Sequence, residues 1–223
     1  AVGYFASLVA DLGFAGHAAR GRATTGAHRL EMASGQVAGE PLVLVVNKMC
    51  PFAQRTWFGI EEAGLSYELR ECQLYPKPQW LLDMNPKGKV PVLVDEKGEP
   101  IIESEVILDA IAARVPAAFG GGVDEDRVAR WRALIGSELL PKRPRSSGDV
   151  DALLEKLDGM VVGPYVAGEA LTLADVSAAP MLQRLFEDGM VDGRHKQLHA
   201  WWEAIKGRPS FAKTRVRNYW WWW

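Results

Sequence analysis

Cys-Pro-Phe-Ala-Gln-Arg, residues 50–55, is the stretch on which the prediction of the fold rests. It follows an apolar run from Leu42 to Val46 that is rich in β-branched residues, as is typical of a buried strand. Pro51 suits the first position of a helix, because an N–H there would have no partner within the helix. Gly64 suits the end of the same helix. The sequence therefore predicts a strand that passes directly into a helix, with a cysteine at the junction.

We expect Cys50 to be the reactive residue of this protein. A helix N-terminus presents unpaired N–H groups and the positive end of the helix dipole, and both favour a thiolate over a thiol. We therefore expect the pKa of Cys50 to lie below the value of about 8.5 of a free cysteine, and Lys48 could add to this effect. Because Ala53 stands where a second cysteine would allow an internal disulfide, Cys50 is expected to form a mixed disulfide that an outside thiol resolves. The alternative is a buried cysteine that packs as a small apolar residue.

Residues 41–116 alternate between strand-like and helix-like segments. Further strands are predicted for Tyr67 to Leu74, Val90 to Val94 and Ile101-Ile102, and a helix is predicted from Ser104 to Arg114. The apolar side of that last helix is expected to carry Val106, Ile107, Ala110 and Ile111. The resulting order, β-α-β-α-β-β-α, is thioredoxin-like.

Residues 117–213 contain only helical patterns. Four helices are predicted, over Asp124 to Leu139, Val150 to Met160, Thr172 to Phe186 and Gln197 to Lys206. At the start of the third of these, Thr172 and Asp175 have the spacing of a capping box, in which each side chain binds the backbone N–H of the other residue. The expected fold class is therefore an α/β thioredoxin-like N-terminal domain followed by an all-α C-terminal domain.

Four stretches resemble, in order, the N-terminal domain of the cysteine-type glutathione transferases, which comprise the omega, lambda and dehydroascorbate-reductase classes. They are residues 50–55, Lys77-Pro78-Gln79-Trp80, residues 85–93 with the sequence Asn-Pro-Lys-Gly-Lys-Val-Pro-Val-Leu, and Glu103-Ser104. The helix that starts at Thr172 and the run Arg208-Pro209-Ser210-Phe211 resemble the C-terminal domain. The resemblance covers roughly residues 42–213. It implies the glutathione-transferase fold, with glutathione as co-substrate and no metal.

The resemblance also implies roles for the residues of the site. Cys50 is the catalytic residue, and glutathione is bound by the following residues: Phe52, Lys77, Val90, Pro91, Glu103 and Ser104. The Val90-Pro91 bond is expected to be cis. Lys77 is expected to reach the glycine carboxylate, while Glu103 and Ser104 hold the ammonium and the carboxylate of the γ-glutamyl end. The ordinary alternatives are a trans proline at the start of a strand, a solvated loop lysine and an N-cap serine.

The two ends of the chain differ from the rest. Residues 1–40 are rich in Ala, Gly, Ser and Thr and poor in acids, which indicates an organelle-targeting segment or a docking helix, with a disordered tail as the alternative. Residues 214–223 end in Trp220 to Trp223, an aromatic block that suits a protein partner, a membrane surface or the chain's own surface. The chain is thus divided into four segments: 1–40, 41–116, 117–213 and 214–223.

Composition argues against several other classes of protein. The net charge of -2 leaves no basic field to attract nucleic acid. Cys50 and Cys72 are the only cysteines, so we expect no disulfide framework, and a reducing compartment is the simpler interpretation. His195 and His199 have the i, i+4 spacing of metal ligands, but no acidic third ligand accompanies them, so a pair on a helix surface is expected.

Two functions are compatible with these features. The first is a glutathione-dependent thiol transferase similar to the dehydroascorbate reductases, which uses Cys50 on a small oxidised or disulfide substrate. The alternative is a non-catalytic structural subunit of a large plastid or mitochondrial assembly, which the two ends of the chain and the short helical stretch between Arg114 and Thr172 suggest. We expect a location in an organelle, a plastid rather than a mitochondrion, or in the cytoplasm.

Overall fold

The computed structural model describes residues 41–120, 124–139 and 147–216. The predictions for residues 1–40 and for Trp220 to Trp223 lie outside the described residues. In the part of the chain that is described, none of the helices has the length and apolar character needed to cross a bilayer.

Four strands of the described chain form one mixed sheet. They are β1 (Leu42–Val46), β2 (Tyr67–Glu71), β3 (Val92–Val94) and β4 (Pro100–Ile102). Their order across the sheet is β2-β1-β3-β4, with β1 parallel to β2 and antiparallel to β3, and with β3 antiparallel to β4. The central strand β1 is buried along most of its length, as the sequence predicts. β3 starts after Pro91 rather than before it, because proline has no N–H to donate to the ladder.

Three helices alternate with these strands. They are α1 (Pro51–Glu62), α2 (Gln79–Met84) and α3 (Ser104–Arg114), so the predicted order β-α-β-α-β-β-α is confirmed. The prediction for the apolar side of α3 is wrong at Val106, which is 53% exposed. The buried face instead follows helical spacing from Ser104 through Ile107 and Leu108 to Ile111, and Val106 lies away from it.

The C-terminal part of the described chain is helical, as predicted. Its helices are α4 (Glu125–Leu134), α5 (Ser147–Asp158), α6 (Leu173–Glu187), α7 (Lys196–Lys206) and α8 (Pro209–Thr214). A π-helical turn over Ile135–Leu139 continues α4. The sequence patterns missed α8, because a helix of 6 residues is too short to show a hydrophobic period.

Helix α1 connects the sheet to the helical part of the molecule. It packs against α3 and also against α6. Gly59 permits this close approach, because a Cβ at that position would lie 2.6 Å from a methyl carbon of Leu108 and 3.4 Å from one of Val176. Since α1 begins directly after Cys50, this packing fixes the strand-to-helix junction relative to the helical part.

Helix α6 is the central helix of the second half. Its predicted capping box is confirmed, with Thr172 as the N-cap and the Asp175 carboxylate accepting from the Thr172 N–H at 2.7 Å. The helix is buried from Ala174 to Leu185. It therefore carries polar side chains, Arg184 among them, into the interior beside α1.

Candidate active site

Cys50 lies at the predicted junction between β1 and α1. It is the N-cap residue of α1, and its carbonyl accepts a hydrogen bond from the Gln54 N–H at 2.9 Å. Its side chain is only 7% exposed, and its Sγ lies 3.9 Å from the carbonyl oxygen of Val90. The Val90-Pro91 bond is cis, as predicted. The structure thus places the thiol beside the Val90-Pro91 segment, which the resemblance to glutathione transferases implies is part of the glutathione site.

The pKa of Cys50 differs from the expectation. Burial raises the pKa above its ordinary value, and this effect exceeds the opposing ones. The N–H groups of Ala53 and Phe52 at the start of α1 lower the pKa, as do the charges of Arg184 and Arg55. The predicted helix effect is present, but the prediction of a lowered pKa is wrong, because the fold takes the sulfur out of water.

The cation beside the thiol is also a different one from that expected. Lys48 does not serve Cys50, because its Nζ is paired with the Glu71 carboxylate at 2.7 Å. Arg184, which is fully buried in the last turn of α6, approaches the Cys50 loop instead. Its Nη2 donates to the carbonyl of Met49 at 3.3 Å, and its Nη1 donates to the Gln54 side chain at 3.4 Å. Arg184 thus links the helical part to the residues on both sides of the cysteine.

Sequence reasoning missed Arg184, although a signal was available. The run from Val176 to Leu185 in α6 is mostly apolar, and Gln183 and Arg184 interrupt it. Polar groups are buried at such a position only when they are hydrogen-bonded. Gln183 fits the same pattern, since it accepts from the Gln54 side chain at 3.2 Å.

Ser104 and Glu103 mark the start of α3. Ser104 is the first residue of the helix and is 5% exposed, and its Oγ accepts hydrogen bonds from Arg55. Glu103 has a φ of 68°, in the left-handed region, and its carboxylate accepts from Lys87 Nζ at 3.1 Å. The carboxylate therefore has a cation beside it, and this cation is exposed, so the pair can be exchanged for another ammonium at little cost.

Lys77 and Phe52 complete the set of predicted residues. Lys77 is exposed, and its Nζ donates to the Lys87 carbonyl at 3.3 Å, which places it on the loop that precedes Val90. The ring of Phe52 is half-buried beneath the Arg55 guanidinium, with 5.4 Å between the guanidinium carbon and the ring centroid. Lys87 thus contacts both Lys77 and Glu103, and Arg55 contacts both Phe52 and Ser104. Neither Lys87 nor Arg55 was assigned to the site by the sequence.

The remaining candidate residues lie elsewhere in the described chain. Cys72 follows β2 and is 1% exposed, in agreement with a core position. His195 is buried at the N-cap of α7, so the predicted surface pair is wrong for this residue, while the His199 ring lies 3.1 Å from the Asp192 carbonyl. Among the described residues, no group of three His, Cys, Asp or Glu could hold a metal ion.

The pH dependence of Cys50 alkylation is a direct consequence of this geometry. Because burial raises the pKa of Cys50, less thiolate is present at neutral pH than for a free cysteine, so reaction with iodoacetamide should require a higher pH. The positive charge of Arg184 lowers the pKa of Cys50, so its removal in Arg184→Met should move the alkylation profile to still higher pH. Arg184→Lys keeps the charge and should move the profile less. Mass spectrometry of the Cys50 peptide measures the rates. A profile at lower pH than that of free cysteine would contradict this prediction.

Two protein-family models match the chain. The model of the glutathione S-transferase N-terminal domain matches residues 49–114, and that of the glutathione S-transferase C-terminal domain matches residues 138–209. The first match contains Cys50, Lys77, Val90, Glu103 and Ser104, and the second contains Arg184.

Individual plant and fungal proteins resemble the chain over most of its length. A protein of Oryza sativa subsp. japonica named "Probable glutathione S-transferase DHAR1, cytosolic" is 30% identical over 185 residues, which are 75% of this chain and 84% of that protein. "Glutathione S-transferase DHAR3, chloroplastic" of Arabidopsis thaliana is 28% identical over 77% of this chain and 72% of that protein. The crystal structure of glutathione transferase Omega 3C from Trametes versicolor superimposes with a TM-score of 0.69 at 27% identity, covering 81% of this chain and 91% of the fungal chain.

Proposed function

Because the chain belongs to the glutathione transferase family, we propose that it is a glutathione-dependent thiol transferase that uses Cys50 as a monothiol nucleophile. The observation that carries this proposal is the position of the Cys50 thiol, at the start of α1 and 3.9 Å from the Val90 carbonyl oxygen. Ala53 supplies no second thiol at the next turn, so the reaction has to be completed by glutathione.

The proposed reaction on a glutathionylated substrate proceeds in two exchanges. The Cys50 thiolate attacks the glutathione sulfur of the mixed disulfide, and the substrate thiolate leaves and takes up a proton. The thiolate of a free glutathione then attacks the glutathione sulfur on Cys50, which forms glutathione disulfide and returns Cys50 as a thiolate. The substrate gains two electrons, and two glutathione units end as one disulfide.

Dehydroascorbate is the second proposed substrate class. Its reduction to ascorbate takes up two electrons and two protons, which two glutathione thiols supply as they become one disulfide. In the first half, Cys50 and one glutathione thiol give two electrons and two protons to dehydroascorbate and become joined as a mixed disulfide, from which the second glutathione releases glutathione disulfide. Thus one intermediate, Cys50 bound to glutathione, serves both substrate classes.

The raised pKa of Cys50 is compatible with this role. The nucleophilicity of a thiolate rises with its pKa, which offsets part of the loss in thiolate fraction at neutral pH. The charges of Arg184 and Arg55 and the N–H groups of Phe52 and Ala53 lower the cost of ionisation.

The proposed binding mode of glutathione uses both ends of the tripeptide. Lys77 pairs with the glycine carboxylate, and the Val90 backbone binds the central cysteine. Glu103 pairs with the γ-glutamyl ammonium in place of Lys87, and Ser104 binds the γ-glutamyl carboxylate. Phe52 and Pro91 pack beside the peptide.

The proposed reaction requires only a compartment that holds reduced glutathione. The two plant relatives carry the designations cytosolic and chloroplastic, and both compartments meet this requirement. The alternative of a structural subunit was motivated mainly by residues 1–40 and Trp220 to Trp223, which lie outside the described residues. Among the described residues, the burial of Cys50 fits this alternative as well as the proposed function and does not separate the two.

Formation of the intermediate tests the proposal directly. The reduced full-length chain is incubated with glutathione disulfide, and the adduct is mapped by mass spectrometry. We expect one glutathione unit per chain on Cys50, none on Cys72, and release of the adduct by excess reduced glutathione. Steady-state reduction of hydroxyethyl disulfide and of dehydroascorbate is then measured with the same protein. An adduct on Cys72 alone, or no adduct and no turnover, would refute the proposed function.

A further inference from the structure

The side chain of Arg55 joins the active-site helix to the start of α3. It extends from α1 and is only 4% exposed. Its Nε donates to the Ser104 Oγ at 3.0 Å, and its Nη2 donates to the same oxygen at 2.5 Å. Its Nη1 binds the Glu105 carboxylate. A single guanidinium thus contacts two consecutive residues at the first turn of α3.

These contacts determine which way the Ser104 hydroxyl points. A serine hydroxyl has one proton to donate and lone pairs with which to accept. Because two N–H groups of a cation converge on Ser104 Oγ, this oxygen accepts on the Arg55 side and its own proton must be directed elsewhere. Within the described residues, no hydrogen bond donated by this hydroxyl is found. Ser104 therefore has a buried donor available for a group outside the chain.

The chemistry around this donor favours an anion. The hydroxyl proton lies beside the positive charge of Arg55, and the first N–H groups of α3 are at the same place. A carboxylate is an acceptor only, so it matches both kinds of donor, whereas an ammonium would meet donors and a like charge. The start of α3 therefore favours a negatively charged ligand group over a positively charged one.

We propose that Arg55 is a positioning residue for the γ-glutamyl carboxylate of glutathione, because it fixes the Ser104 hydroxyl as a donor toward that carboxylate. This inference rests on the proposed function, in which the chain binds glutathione with its γ-glutamyl end at Ser104. Arg55 acts on the carboxylate in two ways: it orients the Ser104 hydroxyl, and it places a positive charge beside that hydroxyl. Selectivity for a carboxylate at this end of the peptide is thereby assigned to a pair of residues rather than to Ser104 alone.

The orientation of Arg55 is fixed by groups from three other helices. The Glu105 carboxylate of α3 also accepts from Arg132 Nε of α4 at 2.7 Å and from Ser177 Oγ of α6 at 2.9 Å. The Phe52 ring lies against the guanidinium from the side of α1. Because both ends of the guanidinium are bound, the Ser104 hydroxyl is oriented before any ligand arrives, which reduces the entropy cost of binding.

Paired ligands and conservative variants test this role. The ligands are S-methylglutathione and the S-methyl derivative of 4-aminobutyryl-cysteinyl-glycine, which differs only in lacking the γ-glutamyl carboxylate and cannot react with Cys50. Affinities are measured by calorimetry on the full-length wild type, Arg55→Lys, Ser104→Ala and the double variant. Arg70→Lys is the matched control, because Arg70 lies on β2 and its side chain forms an exposed ion pair with Glu68. Lysine keeps the charge at position 55 but cannot direct two donors to Ser104 and a third to Glu105.

The expected result is a loss of selectivity rather than a general loss of affinity. Wild type and Arg70→Lys should bind S-methylglutathione about tenfold more tightly than the analogue. Arg55→Lys should lose about tenfold for S-methylglutathione and almost nothing for the analogue, and Ser104→Ala should behave alike. The double variant should be no worse than either single variant, because both remove the same interaction. Equal losses for both ligands in Arg55→Lys, or losses that multiply in the double variant, overturn the inference.

Two further results separate this inference from the proposed function. If the wild type binds neither ligand, the proposed function fails and the inference fails with it. If the wild type discriminates and Arg55→Lys discriminates equally well, only the inference is overturned. Should Arg55→Lys not fold by circular dichroism, Glu105→Gln is measured instead. It leaves Arg55 and Ser104 in place but weakens the group that orients the guanidinium, so unchanged selectivity in Glu105→Gln overturns the inference and reduced selectivity supports it.

Discussion

Replacing Cys50 with serine is expected to reduce glutathione-dependent thiol transfer by about a thousandfold or more, because a serine hydroxyl cannot form the mixed disulfide through which both proposed substrates react. The binding of glutathione should survive, since the groups proposed to hold it lie on the Val90 loop and at the start of α3. Turnover is measured with hydroxyethyl disulfide and with dehydroascorbate, and S-methylglutathione affinity is measured on the same preparation. The expected signature is a loss of turnover without a comparable loss of affinity.

Cys72→Ser is the matched control for this experiment. Both cysteines of the chain are buried, but Cys72 lies after β2, and its Sγ contacts the carbonyl of Gln73 at 3.1 Å rather than the Val90 segment. This variant should therefore retain turnover close to that of the wild type. Retained turnover in Cys50→Ser, or loss of turnover in Cys72→Ser alone, would assign the chemistry to another residue and would remove the basis of the proposed mechanism.

The fold could be predicted from the sequence where its signals are local. The strand before Cys50, the proline that opens α1 and the glycine that follows α1 all lie within residues 42–64, and together they specify one junction. The same holds for α6, whose capping box is contained within Thr172 to Asp175. The apolar side of α3 was less well predicted, since α3 is apolar on more than one side and only the packing against α1 shows which side is buried.

The electrostatics of the site could not be predicted in the same way, because they depend on contacts between distant residues. Lys48 is close to Cys50 in sequence, yet its partner is Glu71 at the end of the neighbouring strand. Arg184 is far from Cys50 in sequence, yet it contacts the residue before the cysteine. The start of a helix predicts an effect that lowers the pKa of Cys50. The opposing effect of burial, which raises this pKa, depends on how much of the chain covers the sulfur.

Asp175 is the residue whose removal should destabilise the protein most among the changes considered. Its carboxylate accepts hydrogen bonds from the Val166 N–H at 2.8 Å and from the Thr172 N–H at 2.7 Å. It also accepts from the Thr172 hydroxyl at 2.8 Å and from the Trp201 indole N–H at 2.8 Å. One side chain that is 0% exposed thus satisfies donors from the loop before α6, from the start of α6 and from α7.

Asp175→Ala is accordingly expected to lower the free energy of unfolding by about 3 kcal/mol or more, because it leaves several buried donors without an acceptor. The matched control is Asp124→Ala at the start of α4, where Asp124 also accepts from a backbone N–H, that of Arg127 at 2.9 Å, but on the surface. Loss of that exposed cap should cost much less than loss of Asp175, since water can replace the carboxylate there. Urea unfolding followed by circular dichroism measures both variants against the wild type. If the two substitutions cost the same, then Asp175 acts only as a helix cap, and the bonds to Val166 and Trp201 contribute nothing to stability.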